Sequence, residues 1–197
     1  MNYQIKAGIA KEHREDAARL YAIAFEKKFE KLLGSKDEVI DILKDGINTN
    51  YAFSVISESN ELLGIVGYYH NNSSLMDIKF KKLKNKYGLF SGAYKKIILS
   101  ILFFKKQDNK KQLLMDGIVV NNNFRGMGIG GALINKLVEF ANENKMSTIK
   151  LDVIDHNPAK KLYIRNGFVK THHIKNLKIV KYLIGVGGLT TMVKKLN

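Results

Sequence analysis

The clearest chemical character lies between Val120 and Leu133, where Arg125-Gly126-Met127-Gly128-Ile129-Gly130-Gly131 leads into an apolar periodic run. Glycines let a backbone come close to a ligand. The first turn of the helix that follows offers unpaired N–H groups and a partial positive charge. Such a terminus binds phosphate, and Arg125 adds a permanent cation at the rim, so the segment reads as a cradle for a pyrophosphate. The plain alternative is a flexible loop with a surface arginine. Against it, glycines in helical positions cost roughly 1 kcal/mol each, which a purely structural role leaves unexplained.

Gly126, Gly128 and Gly131 also satisfy G-x-G-x-x-G, with Asp152 about 20 residues further on, as a dinucleotide fingerprint requires. In that fold the first glycine follows its strand almost at once and opens a series of βα units. Here Asn121 to Arg125 intervene and only 66 residues follow Gly131 in a chain of 197. Too little chain remains for a nicotinamide or flavin fold.

The elements that must position this loop follow from periodicity. Residues 3–10 alternate loosely, and from Lys11 to Leu33 apolar residues recur at three- and four-residue spacing as one amphipathic helix. Gly34 and Ser35 end it, and Asp37 to Leu43 forms a second helix. Tyr51 to Ser57 and Leu62 to Tyr69 form a hairpin about Glu58-Ser59-Asn60-Glu61. From 71 to 111 a lysine-dense stretch (Lys79, Lys81, Lys82, Lys84, Lys86) precedes an apolar helical run from Tyr94 to Phe104, which reads as an insertion. Leu113 to Val120 is a strand, the glycine loop opens a helix ending near Lys145, and Thr148 to Ile154 is a strand. A helix from Asn157-Pro158 closes at Gly167, and Phe168 to Ile174 is a strand. After a connection through Gly185, Gly187 and Gly188, Leu189 to Leu196 is the last strand. The class is α/β or α+β, in one layered sheet and one domain over 1–197.

Composition narrows the functions. The chain is 45% hydrophobic and 26% charged, with one Pro, which excludes a disordered or fibrous chain. It has no Cys, so disulfides, Cys-ligated zinc, iron–sulfur clusters and thiol nucleophiles are excluded. No secretion signal opens the sequence and no apolar run reaches the roughly 20 residues a bilayer needs, so a cytoplasmic location is expected. The 33 basic and 18 acidic side chains give a net charge of +15, but only Arg14, Arg19, Arg125 and Arg165 are arginine. A lysine-heavy surface reads as coding bias rather than as a nucleic-acid interface, while its field still attracts a polyanionic small molecule.

Two segments together resemble the GCN5-related N-acetyltransferase (GNAT) superfamily. Arg125-Gly126-Met127-Gly128-Ile129-Gly130 fits its Arg/Gln-x-x-Gly-x-Gly/Ala motif. The second part of the pattern follows in order: the strand Ile149-Lys150-Leu151-Asp152-Val153, then Asn157-x-Ala159-x-x-Leu162-Tyr163-x-x-x-Gly167-Phe168. The resemblance implies a mixed central sheet flanked by helices, with a helical insertion at 71–111 between the third and fourth strands. It implies acetyl-CoA as the acyl donor and an amine as acceptor, with the pantetheine arm entering where the strands Leu113–Val120 and Thr148–Ile154 splay apart. Ile118, Val119 and Val120 would then offer backbone groups to the cofactor, with an N–H near Val120 as oxyanion donor.

The same resemblance assigns Tyr163 as the general acid at the thioester sulfur, although its helical position also suits simple packing. Asn157 would contact the cofactor, and Asn before Pro is also a good helix N-cap. Asp116 interrupts an apolar strand, alternating with Ile118 and Val120, and is the first candidate for the base; His70 is the reserve. His156, His172 and His173 lie near Asp152 and Asp155 without a metal-ligand spacing, so no metal is expected. No G-x-S-x-G elbow exists, which speaks against a serine hydrolase. The acceptor is expected to be a small molecule, with a protein N-terminus or lysine as the alternative and a non-catalytic CoA-binding module as the reading from another class. The lysines of the insertion read as a solvated face, with an acidic substrate or a membrane surface as other targets. Monomer and homodimer both remain open.

Overall fold

A computed structural model describes residues 2–102, 107–155, 157–175 and 188–196. The chain runs through β1 (Tyr3–Ala7), a 3-10 turn, α1 (Arg14–Ala24), α2 (Glu26–Leu33), α3 (Lys36–Gly46), β2 (Ala52–Ser57), β3 (Leu62–His70) and β4 (Ser73–Ser74). It continues with α4 (Phe80–Tyr87), α5 (Leu89–Leu102), β5 (Gln112–Val120), a 3-10 turn, α6 (Ile129–Glu143), β6 (Thr148–Ile154), α7 (Ala159–Arg165), β7 (Val169–Lys175) and β8 (Gly188–Lys195). Phe103, Phe104, His156, Gly185 and Gly187 lie outside the described residues.

The strands form one sheet in the order β1-β2-β3-β5-β6-β8-β7, with β4 on β3. All neighbours are antiparallel except β5 and β6. Alternation along the strands divides the core into two layers. Leu62, Ile65 and Val119 face the side covered by α1 to α5. Leu63, Val66, Leu113 and Met115 face α6 and α7.

The expected helix from Lys11 to Leu33 is broken. Phe25, at φ −119° and ψ 19°, separates α1 from α2 while its N–H still bonds the Tyr21 carbonyl. The offset keeps two apolar stripes on one cluster: Ala17, Ala18 and Tyr21 from α1, and Phe29, Leu32 and Leu33 from α2. Ser35 then starts α3 with a capping box, its hydroxyl taking the Glu38 N–H while the Glu38 carboxylate takes the Ser35 N–H.

The insertion contains two helices rather than one, folded as a hairpin. Gly92 of α5 sits where a side chain would meet Leu83 and Lys84 backbone atoms at 2.9 Å, so the helices cross at that point. The expectation of solvated lysines is only partly met, because several dock the hairpin. Lys82 pairs with Asp41 and Asp45 of α3 at 3.1 and 2.8 Å, and Lys86 reaches Asp41 at 3.5 Å. Lys95 bonds the Leu32 carbonyl and lies over the Tyr87 ring, whose hydroxyl bonds the Leu33 carbonyl. Apart from the Lys95–Tyr87 contact, these partners lie some forty to sixty residues away, so no local pattern could show them.

Candidate active site

Two departures from regular pairing create the site, and both fall on β5. Toward β6, pairing lasts for three residues, Gln112 with Thr148, Leu113 with Ile149 and Leu114 with Lys150. Beyond them β6 stays paired with β8 along its whole length and β5 stays with β3 as far as Val120. The two parallel strands therefore part, and among the described residues no strand pairs with the β6-facing edge of β5 from Met115 onward. Toward β3, the register shifts by one residue between Gly67–Gly117 and Tyr68–Met115, which leaves Asp116 as a bulge.

The bulge corrects the expected alternation. Met115, Ile118 and Val120 all lie on the α6 side, whereas Gly117 faces α1. Asp116 is the extra residue, so it does not continue the face of Ile118 and Val120. A Cβ on Gly117 would lie 2.6 Å from the Tyr21 hydroxyl and 3.3 Å from Phe25, so α1 sits directly on the bulge. One Asp116 carboxylate oxygen, Oδ2, is buried there.

Tyr21 is the residue the sequence reading missed. Its side chain is 1% exposed, and its buried hydroxyl has no hydrogen-bond partner among the described residues. Burial, and then the nearby charge of Asp116 and the phenol of Tyr163, push its pKa well above the ordinary tyrosine value. The periodicity of α1 marked Tyr21 only as core. The available signal was that it carries a hydroxyl on a face otherwise made of Ala17, Ala18, Ala22 and Phe25.

Tyr163, on α7, is also buried and packs its ring 5.9 Å from Phe168. Burial raises its pKa far above the usual range, so the phenol holds its proton at any physiological pH. Its effect on Tyr21 places the two phenols in one electrostatic neighbourhood. His70 is not part of it. Its ring lies against Phe140, and Phe140 is eleven residues along α6 from Ile129, about 16 Å of helix from the glycine loop.

The glycine loop follows the free edge of β5. Gly126 and Gly128 have φ of 84° and 80°, which favours glycine, and open space surrounds both where a side chain would stand. Gly128 is the N-cap of α6, and the first helical bond runs from Ala132 N–H to its carbonyl. The N–H groups of Ile129, Gly130 and Gly131 thus have no acceptor within the helix. Arg125 and Met127 are exposed at the rim, whereas the Ile129 side chain is buried under the helix. Gly130 admits the Leu162 side chain, which would stand 2.9 Å from a Cβ, and so lets α7 pack against α6.

Pro158, rather than the expected Asn157, takes the N-cap position of α7; Asn157 stands one residue before it, and its side-chain oxygen accepts the Ala159 N–H at 2.9 Å. Beside it, Asp155 takes both oxygens to His173 at 3.1 Å and one to Lys160 at 3.1 Å, and Lys160 also bonds the Thr190 hydroxyl. Asp152 accepts a bond from Thr191 at 2.6 Å. Among the described residues no three His, Cys, Asp or Glu side chains gather as a metal site.

The sequence profile of the Acetyltransferase (GNAT) family matches residues 15–168, and the chain belongs to that family of acyl-CoA-dependent N-acyltransferases. The fold is that of its solved structures. Ard1 from Thermoplasma volcanium superimposes with a TM-score of 0.61 at 14% identity, covering 100% of this chain and 99% of the other. A GNAT-family acetyltransferase from Streptococcus pneumoniae gives 0.58 at 16% identity, covering 100% of both chains. A GCN5-related N-acetyltransferase from Kribbella flavida gives 0.59 at 13%, covering 98% of both. No curated protein matches the sequence.

The Asp155 cluster sets a measurable pH dependence. The His173 hydrogen bond, followed by the one from Lys160, lowers the Asp155 pKa from 3.8 to about 2. A lowered carboxylate stabilises the fold fully above its unfolded value of 3.8 and stops doing so as the pH falls through about 2. The melting temperature of Asp155→Asn should lie below that of the parent at neutral pH, and the gap should close over that acid window. A gap that does not change with pH would refute the assignment.

Proposed function

We propose that the chain transfers the acetyl group of acetyl-CoA to the primary amine of a small molecule. The observation that carries this reading is the parting of β5 from β6 beside a helix terminus with three free N–H groups. These residues fit the carrier. The amides of Ile129, Gly130 and Gly131 and the Arg125 guanidinium suit the two phosphates, and Gly126, Met127 and Gly128 give the chain its close approach. The open edge from Ile118 through Val119 to Val120 offers backbone groups to an amide-bearing arm. The Asn157 side chain stands near the far side of the gap.

The bound thioester supplies an electrophilic carbonyl; the rest is the work of this chain's side chains. An amine with a pKa near 10.4 arrives protonated, and Asp116 is the carboxylate that takes its proton, directly or through water. The neutral amine forms the C–N bond. A backbone N–H near Val120 receives the charge that develops on the carbonyl oxygen. As the C–S bond breaks, the Tyr163 phenol gives its proton to sulfur, the nitrogen gives up its second proton to solvent, and the phenol recovers one from solvent. Tyr21 serves as a positioning group, its hydroxyl holding the amine over the bulge. A small acceptor is favoured because Tyr21 and Phe25 close α1 down onto Gly117, so that this stretch of β5 is covered rather than open to an extended chain.

A thiol-release assay with acetyl-CoA should show turnover with small primary amines; turnover confined to peptides would contradict the small-acceptor reading. Tyr163→Phe should lower kcat by about 100-fold with the KM values nearly unchanged, as expected for a lost general acid. Tyr21→Phe should instead raise KM for the amine roughly three- to tenfold, the worth of one hydrogen bond, without moving KM for acetyl-CoA. If both variants act on the same parameter, the division of roles is wrong. Gly128→Glu, which aims a carboxylate at the phosphates, should abolish acetyl-CoA binding in calorimetry, while Gly128→Asn tolerates the left-handed turn and keeps the fold. Retained binding in Gly128→Glu would remove the cradle.

A further inference from the structure

The hairpin of α4 and α5 carries features that neither the acyl-transfer site nor the packing of the fold uses. Half of the large apolar side chains exposed among the described residues lie on it: Phe80 38%, Leu89 53%, Phe90 88%, Tyr94 56% and Ile97 61%. Phe90, Tyr94 and Ile97 follow the i, i+4, i+7 spacing of one helical face. The opposite face of α5 turns Ile98 and Leu99 inward at 4% and 2% exposure. The helix is therefore apolar on both sides, and only one side is covered. A contiguous exposed apolar patch of this kind marks a docking surface.

Charge identifies what covers it. Residues 80–102 contain six lysines and no acidic residue. Lys82 and Lys86 pair with carboxylates of α3, and the Lys95 and Lys96 amines turn inward to the carbonyls of Leu32 and Ile78. Lys81 and Lys84 are exposed. An apolar, aromatic stripe beside exposed lysines, on a hairpin with no acidic residue, is the composition of a helical surface that lies in the plane of an anionic bilayer, its apolar face among the acyl chains and its amines at the headgroups. A second copy of the same face would set like charges against one another. No helix among the described residues is long and apolar enough to cross a membrane, so attachment would be peripheral.

We propose that the α4–α5 hairpin docks the protein on anionic lipid surfaces through Phe90, Tyr94 and Ile97, with the exposed Lys81 and Lys84 engaging the headgroups. This attachment is independent of the acyl-transfer reading and stands or falls separately. It is tested by co-sedimentation of the full chain with vesicles of phosphatidylcholine alone and of equal parts phosphatidylcholine and phosphatidylglycerol. The chain should sediment with the anionic vesicles, release them as salt is raised, and not release them to soluble glycerol phosphate. The triple variant Phe90→Ser, Tyr94→Ser, Ile97→Ser should lower the bound fraction about tenfold while its melting temperature and acetyl-CoA binding stay unchanged. These side chains are exposed, so the fold survives their loss.

The proposal is overturned if the parent ignores anionic vesicles or if the triple variant binds them equally. It is also overturned if light scattering shows a dimer that the triple variant dissociates, or if a single-stranded oligonucleotide is bound through this face while vesicles are not.

Discussion

Everything about the site depends on β5 serving two partners over different lengths. It must stay with β3 to Val120, because Gly64 to Tyr69 hold it there, yet it keeps β6 for only three residues. A parallel pair that parts inside a sheet leaves backbone N–H and C=O groups facing a gap, which a folded protein does not tolerate without a partner or water. The cost is accepted where an extended ligand can act as the missing strand. The glycine loop emerges at the end of the same strand, so the gap and the proposed phosphate cradle are two ends of one feature.

The bulge at Asp116 places the proposed base. One extra residue in β5 switches the face of the strand between Met115 and Gly117, and α1 settles over the glycine that results. The Tyr21 hydroxyl and one Asp116 carboxylate oxygen are both buried, and after burial itself the Asp116 charge and the Tyr163 phenol raise the Tyr21 pKa further. Both phenols are held protonated by burial. A buried hydroxyl without a protein partner costs stability, and a polar acceptor offers what it lacks.

The family and much of the fold were legible because they rest on local signals. The glycine loop, the Asn157-Pro158 helix start and the strand Thr148–Ile154 are read from a few adjacent residues, and the strand falls on its expected bounds. The break at Phe25 was not legible, because the apolar stripe continues across it and only the shared cluster shows why the helix is offset. The bulge was equally hidden, since a one-residue shift reverses every face beyond it without changing composition. The lysines of the insertion looked uniform in sequence. Their sorting into Lys82 and Lys86 on α3 acids, Lys95 and Lys96 on carbonyls, and exposed Lys81 and Lys84 depends on distant chain.

The insertion braces α2 and α3 from outside, and these continue from the helix that covers the bulge. The site is thus held between a rigid sheet on one side and a helical layer on the other. Backbone hydrogen exchange, measured residue by residue with and without acetyl-CoA, probes the parted strand most directly. The account predicts that amides of Asp116 to Val120 and of Gly126 to Ala132 slow together when the carrier is added. Unchanged exchange on both segments, or protection elsewhere in the chain alone, would contradict it.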